Sequence, residues 1–266
     1  MSSDFLLKPA WPQLSNGVGA QYGAFTTVRA GGVSHAPYDD HFGAGGFNLA
    51  DHVGDTIDNV VRNRTRLAEY LSEFSSPDLQ WLSQVHGTTV LNLDEKQGSL
   101  VADACISTRA NVVCAVLTAD CLPVLFCDRK HGVVGAAHAG WRGLAAGVLE
   151  NTVFKMKQAG AYPEHILAWL GPAIGPSKFE VGKEVREQFV GADTSTALAF
   201  TLNKIRPGKF YADIYKLARI RLQRAGVEQI SGGQFCTFSQ PDKFYSYRRD
   251  GVTGRMASLI WIKSQQ

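Results

Sequence analysis

No stretch of this 266-residue chain holds about 18 uninterrupted apolar residues, so it offers no membrane-spanning helix. Asp4 and Lys8 break the short apolar segment between Met1 and Trp11, and no export signal is read there. A soluble, cytoplasmic protein with no membrane partner is the expectation. Charge of one sign is also scarce. The 27 Lys and Arg face 24 Asp and Glu, and the basic residues are scattered, which implies no nucleic-acid partner. Cysteines number five, an odd count in a chain large enough to fold without disulfides, so Cys105, Cys114, Cys121, Cys127 and Cys236 read as reduced thiols. The absence of any Cys-x-x-Cys pair excludes zinc ribbons and thioredoxin-like sites. The Walker A loop, His-Glu-x-x-His, Gly-x-Ser-x-Gly and the paired motifs of zinc nucleobase deaminases are missing too, as are internal repeats and low-complexity tracts.

What is present is enough apolar sequence, 45% of residues, to bury one large core, and a single domain over residues 1–266 is expected. Val112 to Leu117, Val124 to Cys127, Val133 to Ala137 and Ile166 to Leu170 are short and almost wholly apolar, as strands covered on both faces should be. The pattern Ile57, Val60, Val61, Arg64, Leu67, Leu71 after Asp55, a candidate N-cap, predicts a helix to about Ser72. Trp81 onward turns to strand. Further helices are expected from about Leu144 to Gln158, with Gly160 as C-cap, and over Val181 to Val190 and Ala212 to Ala225. Gly31 to Gly46 reads as a long surface loop, and Phe244 to Arg248 with Arg255 to Ile262 as a hairpin. Strands and helices mix without strict βαβ alternation, so the class is α+β, a single domain with mixed sheets and flanking helices.

Two imidazoles and a thiol stand at the ends of strand-like runs: His86 after Gln84-Val85, Cys121 after Asp120, and His138 before Ala139-Gly140. Nitrogen and sulfur donors suit zinc, and three protein ligands leave a fourth position open for water or substrate. The separations of 35 and 17 residues match no short zinc spacing. For His86 alone the plainer reading is a turn histidine, and for Cys121 a buried thiol. Cys121 differs from Cys114 and Cys127 in lying at a break between strands, where Pro123 bends the backbone. Small neighbours leave room around His138, which favours a functional imidazole.

Arg29, Arg142, Arg248 and Arg249 form a second group, each by default a solvated cation. Arg142 stands four residues after His138 at an expected helix start, where a cation opposes the helix dipole and makes sense if an anion such as phosphate is held nearby. Asp120 serves equally as a turn residue, as a group orienting a metal ligand, or as a base.

Phe25-Thr26-Thr27, Gly31 to Ser34, Asn48-Leu49, His52 to Asp55, Gln84 to Gly87, Thr118 to Pro123 and His138 to Gly143 occur in order. They are followed by Gly171 to Gly175, Phe179 to Gly182, Cys236-Thr237 and Ser246 to Arg249. In these segments the chain resembles the YfiH-type laccase-domain family, from about residue 20 to 262. Cys105 departs from the residue usual in that family and receives no role. The resemblance implies an α+β fold related to bacterial toxin deamidases, with His86, Cys121 and His138 as metal ligands.

The family carries conflicting labels: polyphenol oxidase or laccase, zinc-dependent purine nucleoside phosphorylase with adenosine deaminase and methylthioadenosine phosphorylase activity, and peptidoglycan editing factor. Under the phosphorylase label the partners are a purine nucleoside, such as adenosine or inosine, and phosphate. Arg29, Asn48, Arg142 and Arg248 would then hold phosphate or ribose, and Asp120 would be the group that protonates the base. Copper oxidation of phenols is disfavoured, because seven histidines and no His-x-His pair fall short of a multicopper set, although copper competes well for such ligands. A metal-free hydrolase with Cys121 as nucleophile and His138 as base, acting on a cell-wall precursor, is the other alternative.

Overall fold

The computed structural model describes residues 6–11, 22–72 and 78–264. In chain order the first elements are β1 (Leu6–Leu7), β2 (Tyr22–Thr27), β3 (Ala30–Ser34), α1 (Ile57–Ser72), β4 (Asp78–Leu79), β5 (Val90–Asn92) and β6 (Ala104–Ser107). The central run is β7 (Val112–Thr118), β8 (Leu122–Asp128), β9 (Val134–Ala139), α2 (Trp141–Ala146), α3 (Val148–Gln158) and β10 (Ile166–Leu170). The chain continues through β11 (Glu180–Gly182), α4 (Lys183–Ala192), β12 (Phe200–Leu202), β13 (Lys209–Ala212), α5 (Ile214–Arg224), β14 (Gln229–Gly232), α6 (Tyr247–Asp250) and β15 (Met256–Ile262).

Every residue of β7 through β10 is buried, because each of these strands is covered on both faces. One mixed sheet has the order β1-β2-β15-β7-β4, a second β14-β10-β8-β9-β6-β5, and a small antiparallel one β11-β13-β12. The alternation of side chains along each strand then builds layers. Val112, Cys114 and Val116 of β7 pack with Leu125 and Cys127 of β8 and Trp169 of β10 in a core between the two large sheets. Val113, Ala115 and Leu117 face the other way, onto Leu67 and Leu71 of α1. Val124 and Phe126 of β8 meet Leu149 and Val153 of α3 and Leu217 of α5. The result is helix, sheet, sheet, helix, in line with the α+β expectation. Each fully buried Leu or Phe contributes roughly 1.5–3 kcal/mol through area removed from water.

Several local expectations need correction. Phe244 to Arg248 is not a strand. Phe244 and Tyr245 are buried, Ser246 caps the short α6 by accepting from Arg249 N–H, and the Arg249 guanidinium folds the segment back by donating to the carbonyls of Thr237, Phe238 and Phe244. The Gly31 to Gly46 segment contains β3 and is pinned by Asn63, whose amide bonds Ser34, Gly46 and Asn48. In α1 the buried face therefore runs through Asn59, Val60, Asn63, Leu67 and Leu71, leaving Ile57 and Val61 exposed. The helix also begins later than expected. Thr56 carbonyl accepts its first bonds, while Asp55 accepts from Thr56 N–H, Ser34 and Asn48. The expected Leu144–Gln158 helix starts at Trp141 and is split at Gly147, whose φ of 101° ends α2 and starts α3. After Trp81 the chain is mostly loop until β5.

Candidate functional site

The three-residue link Ala119-Asp120-Cys121 carries the chain from β7 in one large sheet to β8 in the other. Asp120 makes that turn at φ 88°, in a left-handed region that costs a residue with a side chain about 1–3 kcal/mol. Its carboxylate holds the turn in place. One oxygen accepts from Thr237 Oγ1 at 2.6 Å and the other from Arg248 N–H at 2.6 Å. Cys121 is thereby placed beside the end of β9, because β8 and β9 are antiparallel neighbours with Leu122 opposite Ala139 and Pro123 opposite His138. His138 shares its strand face with Ala136, at the edge of the core between the sheets.

His86 arrives from the loop before β5, and a buried carboxylate brings it there. Asp103, fully buried just before β6, accepts from the backbone N–H groups of Val85, His86 and Gly87 at 3.2, 2.9 and 2.6 Å. The same carboxylate lies 2.8 Å from His138 Nδ1, and Asp103 carbonyl accepts from His138 N–H at 2.7 Å. One side chain thus fixes both histidines, and leaves His138 Nε2 as the ring nitrogen available to a ligand. Gln84 adds a second tie by bonding both the N–H and the carbonyl of Leu117.

His86, Cys121 and His138 converge. One ligand atom of each lies within 4.8 Å of the others, and Cys121 Sγ is 3.8 Å from His86 Nε2. A tetrahedral zinc with ordinary Zn–S and Zn–N bonds needs donors separated by roughly 3.5 Å, so the set fits. Gly140 is part of that fit, for a Cβ there would lie 2.7 Å from His86 Cδ2 and 3.1 Å from Cys121 Sγ. His138 is buried, Cys121 half-buried and His86 exposed, which keeps one side of the triad open. Desolvation pushes the Cys121 thiol up, but the imidazoles of His138 and His86 outweigh it and bring the thiol down to about 6. Desolvation likewise opposes a charged His138, yet Cys121 and Asp103 raise it to about 9. Without metal, the pair is held as thiolate and imidazolium.

The triad lines a cavity of about 460 Å³, within the range of small-molecule sites, together with His52, Gln84, Tyr247 and Arg255. A smaller, mostly apolar pocket of about 130 Å³ adjoins it through Ala119, Cys121 and Tyr247, and has Phe179 and Arg248 in its wall.

The family model described as multi-copper polyphenol oxidoreductase laccase matches residues 23–263. The chain belongs to that family. It is 52% identical over 259 residues to the purine nucleoside phosphorylase YfiH of Escherichia coli strain K12, covering 97% of this chain and 98% of that one. It is 51% identical over 257 residues to the purine nucleoside phosphorylase PA4543 of Pseudomonas aeruginosa, with the same coverage. Among solved structures, protein NMB0706 of Neisseria meningitidis superimposes with a TM-score of 0.86 at 44% identity, covering 98% of this chain and 100% of that one. YlmD of Geobacillus stearothermophilus gives 0.82 at 32% identity, again over 98% and 100%.

Not every residue singled out in the sequence reaches the cavities of this laccase-family site. Arg29 is buried elsewhere, with Nε donating to Asp39 carbonyl at 2.6 Å and Nη2 bridging to its carboxylate. Asn48 is fully buried, and its amide joins Ala50, Asp55 and the N–H of Arg255. Arg142 is exposed and lies over Trp141, 4.5 Å from its ring centre, at the start of a helix of only six residues. Arg248 is at the smaller pocket, with Nη1 donating to Glu180 carbonyl.

Two residues were missed in the sequence. Asp103 had a signal, since an acid inside the apolar run Val101 to Ile106 needs partners. Arg255 had none, because only the fold brings β15 beside the end of β7. Its burial lowers its pKa, and no carboxylate among the described residues pairs with it. The guanidinium donates to Thr253 and Gly254 carbonyls and lies over Tyr247.

Proposed function

We propose that this chain is a zinc-dependent purine nucleoside phosphorylase, taking adenosine, inosine and methylthioadenosine with phosphate to the free base and ribose 1-phosphate or its methylthio counterpart. The observation that carries the proposal is the convergence of His86, Cys121 and His138 on a cavity whose wall presents the desolvated cation of Arg255. Relatives at about half identity bear the phosphorylase name, which supports an enzyme of this class. In the reaction the glycosidic carbon–nitrogen bond breaks, a phosphate oxygen bonds the ribose carbon, and the departing base takes a proton.

His86, Cys121 and His138 would hold the zinc ion, which when bound would supply Lewis acidity at the cavity. Copper is the alternative ion for these donors. Arg255 holds phosphate, since a partly buried guanidinium without a carboxylate is stabilised by an incoming anion. Arg248 and Phe179 bound the adjoining pocket for the base or the sugar substituent. Asp103 keeps His138 in one tautomer and holds the His86 loop. Asp120, with both oxygens engaged, orients the backbone of Arg248. Adenosine deamination at the same centre is a second expected activity.

The test is metal-quantified protein incubated with adenosine and phosphate while ribose 1-phosphate, free base and inosine are followed. Phosphate-dependent base release that tracks zinc content supports the phosphorylase. Its absence at full zinc occupancy overturns it.

One observation favours a second reading. A thiol near 6 beside an imidazolium oriented by a carboxylate is the arrangement of a cysteine hydrolase, with Cys121 as nucleophile and His138 as acid–base partner, acting on a cell-wall precursor. His86 separates the two. Its replacement by Ala removes a metal ligand in the first case and should abolish activity, whereas in the second it removes the lesser of two imidazoles that lower the thiol and should only reduce activity.

A further inference from the structure

A second group of metal-type donors lies at the opposite end of β8. Asp128 closes that strand, His131 follows in the turn to β9, and His165 ends the short 3-10 turn that leads into β10, the strand paired with β8. One ligand atom of each lies within 4.8 Å of the others. Asp128 is fully buried and is aimed by the protein itself. The N–H groups of Lys130, His131 and Tyr162 donate to it at 2.7, 3.0 and 3.0 Å, and His131 Nδ1 lies 3.2 Å from its Oδ1. His131 Nδ1 stands 3.1 Å from Asp128 Oδ2, and its ring stacks on His165 with centroids 5.4 Å apart.

A polar turn with an Asp–His pair accounts for part of this arrangement, but not for His165. Its Nδ1 is shielded from solvent and has no hydrogen-bond partner among the described residues. A buried ring nitrogen without a protein partner is uncommon in a folded protein and is open to a bound ion or an ordered water. We propose that Asp128, His131 and His165 form a second metal site, taking a divalent transition ion such as zinc, with solvent in the remaining position. One carboxylate oxygen and two imidazoles suit zinc, cobalt or nickel, whereas calcium and magnesium demand more oxygen donors.

The site is structural. Asp128 is seven residues along β8 from Cys121, roughly 20 Å at the rise of an extended strand, so the ion takes no part in chemistry at the triad. It ties the β8–β9 turn to the entry of β10, adding one centre to the bonds that Tyr162 N–H makes to the Asp128 carboxylate and Arg129 N–H to the His165 carbonyl.

Untagged Cys121→Ala protein, stripped of metal and confirmed folded by circular dichroism, is dialysed against zinc or cobalt at micromolar concentration and its metal content measured. One bound equivalent is expected, lost on adding His131→Gln or His165→Gln. The melting temperature should rise with zinc in the single variant and stay fixed in both doubles. In the wild-type background the same two His→Gln changes should each remove one equivalent. His131 is exposed enough to be replaced without unfolding the turn. No binding in Cys121→Ala, or binding undiminished in both doubles, overturns the site.

Discussion

At one end of the β8–β9 hairpin, Cys121 and His138 line a cavity of about 460 Å³; at its turn, Asp128 and His131 meet His165 near the surface. The donors are alike in number and nearly alike in kind. What differs is what surrounds them. At the first end, Asp103 gathers four hydrogen bonds behind the triad, Gly140 leaves the space a methyl group would fill, and Arg255 lines the cavity with a guanidinium that no carboxylate among the described residues pairs with. At the second, the carboxylate is itself a ligand candidate and His131 opens to solvent. Donor geometry therefore says where an ion fits, and the cavity and its charges decide whether anything reacts there.

The largest expected effect tests that division directly. Cys121→Ala should abolish phosphate-dependent release of base, whereas His131→Gln and His165→Gln should leave the rate within about twofold, as changes remote from a site usually do. If His131→Gln also abolished the rate, the two ends would be coupled and the comparison would fail. Next in size is Asp103→Asn. The amide nitrogen has to face either the donors of the His86 loop or His138 Nδ1, so zinc affinity at the triad should fall by about 10–100-fold in a chelator competition. Unchanged affinity would reduce Asp103 to a loop fastener.

A smaller effect reads the charge state of the triad. In metal-free protein Cys121 is thiolate above about 6 and protonated below it, and His138 keeps its proton up to about 9. Alkylation of Cys121 should accordingly rise through pH 6 and level off, whereas an ordinary thiol reacts fully only above about 8.5. His138→Gln should move the midpoint upward, and added zinc should suppress the reaction. A midpoint left near the ordinary thiol value would show that the imidazoles do not govern the sulfur.

How much of this was legible in the sequence varies with the range of the interactions involved. The apolar runs of β7 to β10 were plain because strands covered on both faces need apolar residues at every position. His86, Cys121 and His138 stood out by type and by their place at strand ends, but their meeting depends on β8 pairing with β9, which has no local signal, and on Asp103 gathering the His86 loop, where the sequence marks the buried acid and not its partners. The arginines went the other way. Arg29 was conspicuous in sequence and proved to be a buried tie between loops, while Arg255 was inconspicuous and reached the cavity. The failed hairpin at Phe244 has the same cause, since Arg249 satisfies carbonyls that a strand partner would have taken.

The smallest predicted effect falls on that second arginine. Arg255→Lys keeps the charge but gives up the planar fork, and Arg255 already spends one terminal nitrogen on the carbonyls of Thr253 and Gly254. A lysine must choose between those carbonyls and an anion in the cavity. Phosphate binding should therefore weaken several-fold, seen as a raised KM for phosphate with kcat and the KM for nucleoside little altered. A rise confined to the nucleoside KM would move Arg255 from the phosphate to the sugar. The triad would then face a phosphate held from the Arg248 side, where the adjoining pocket begins.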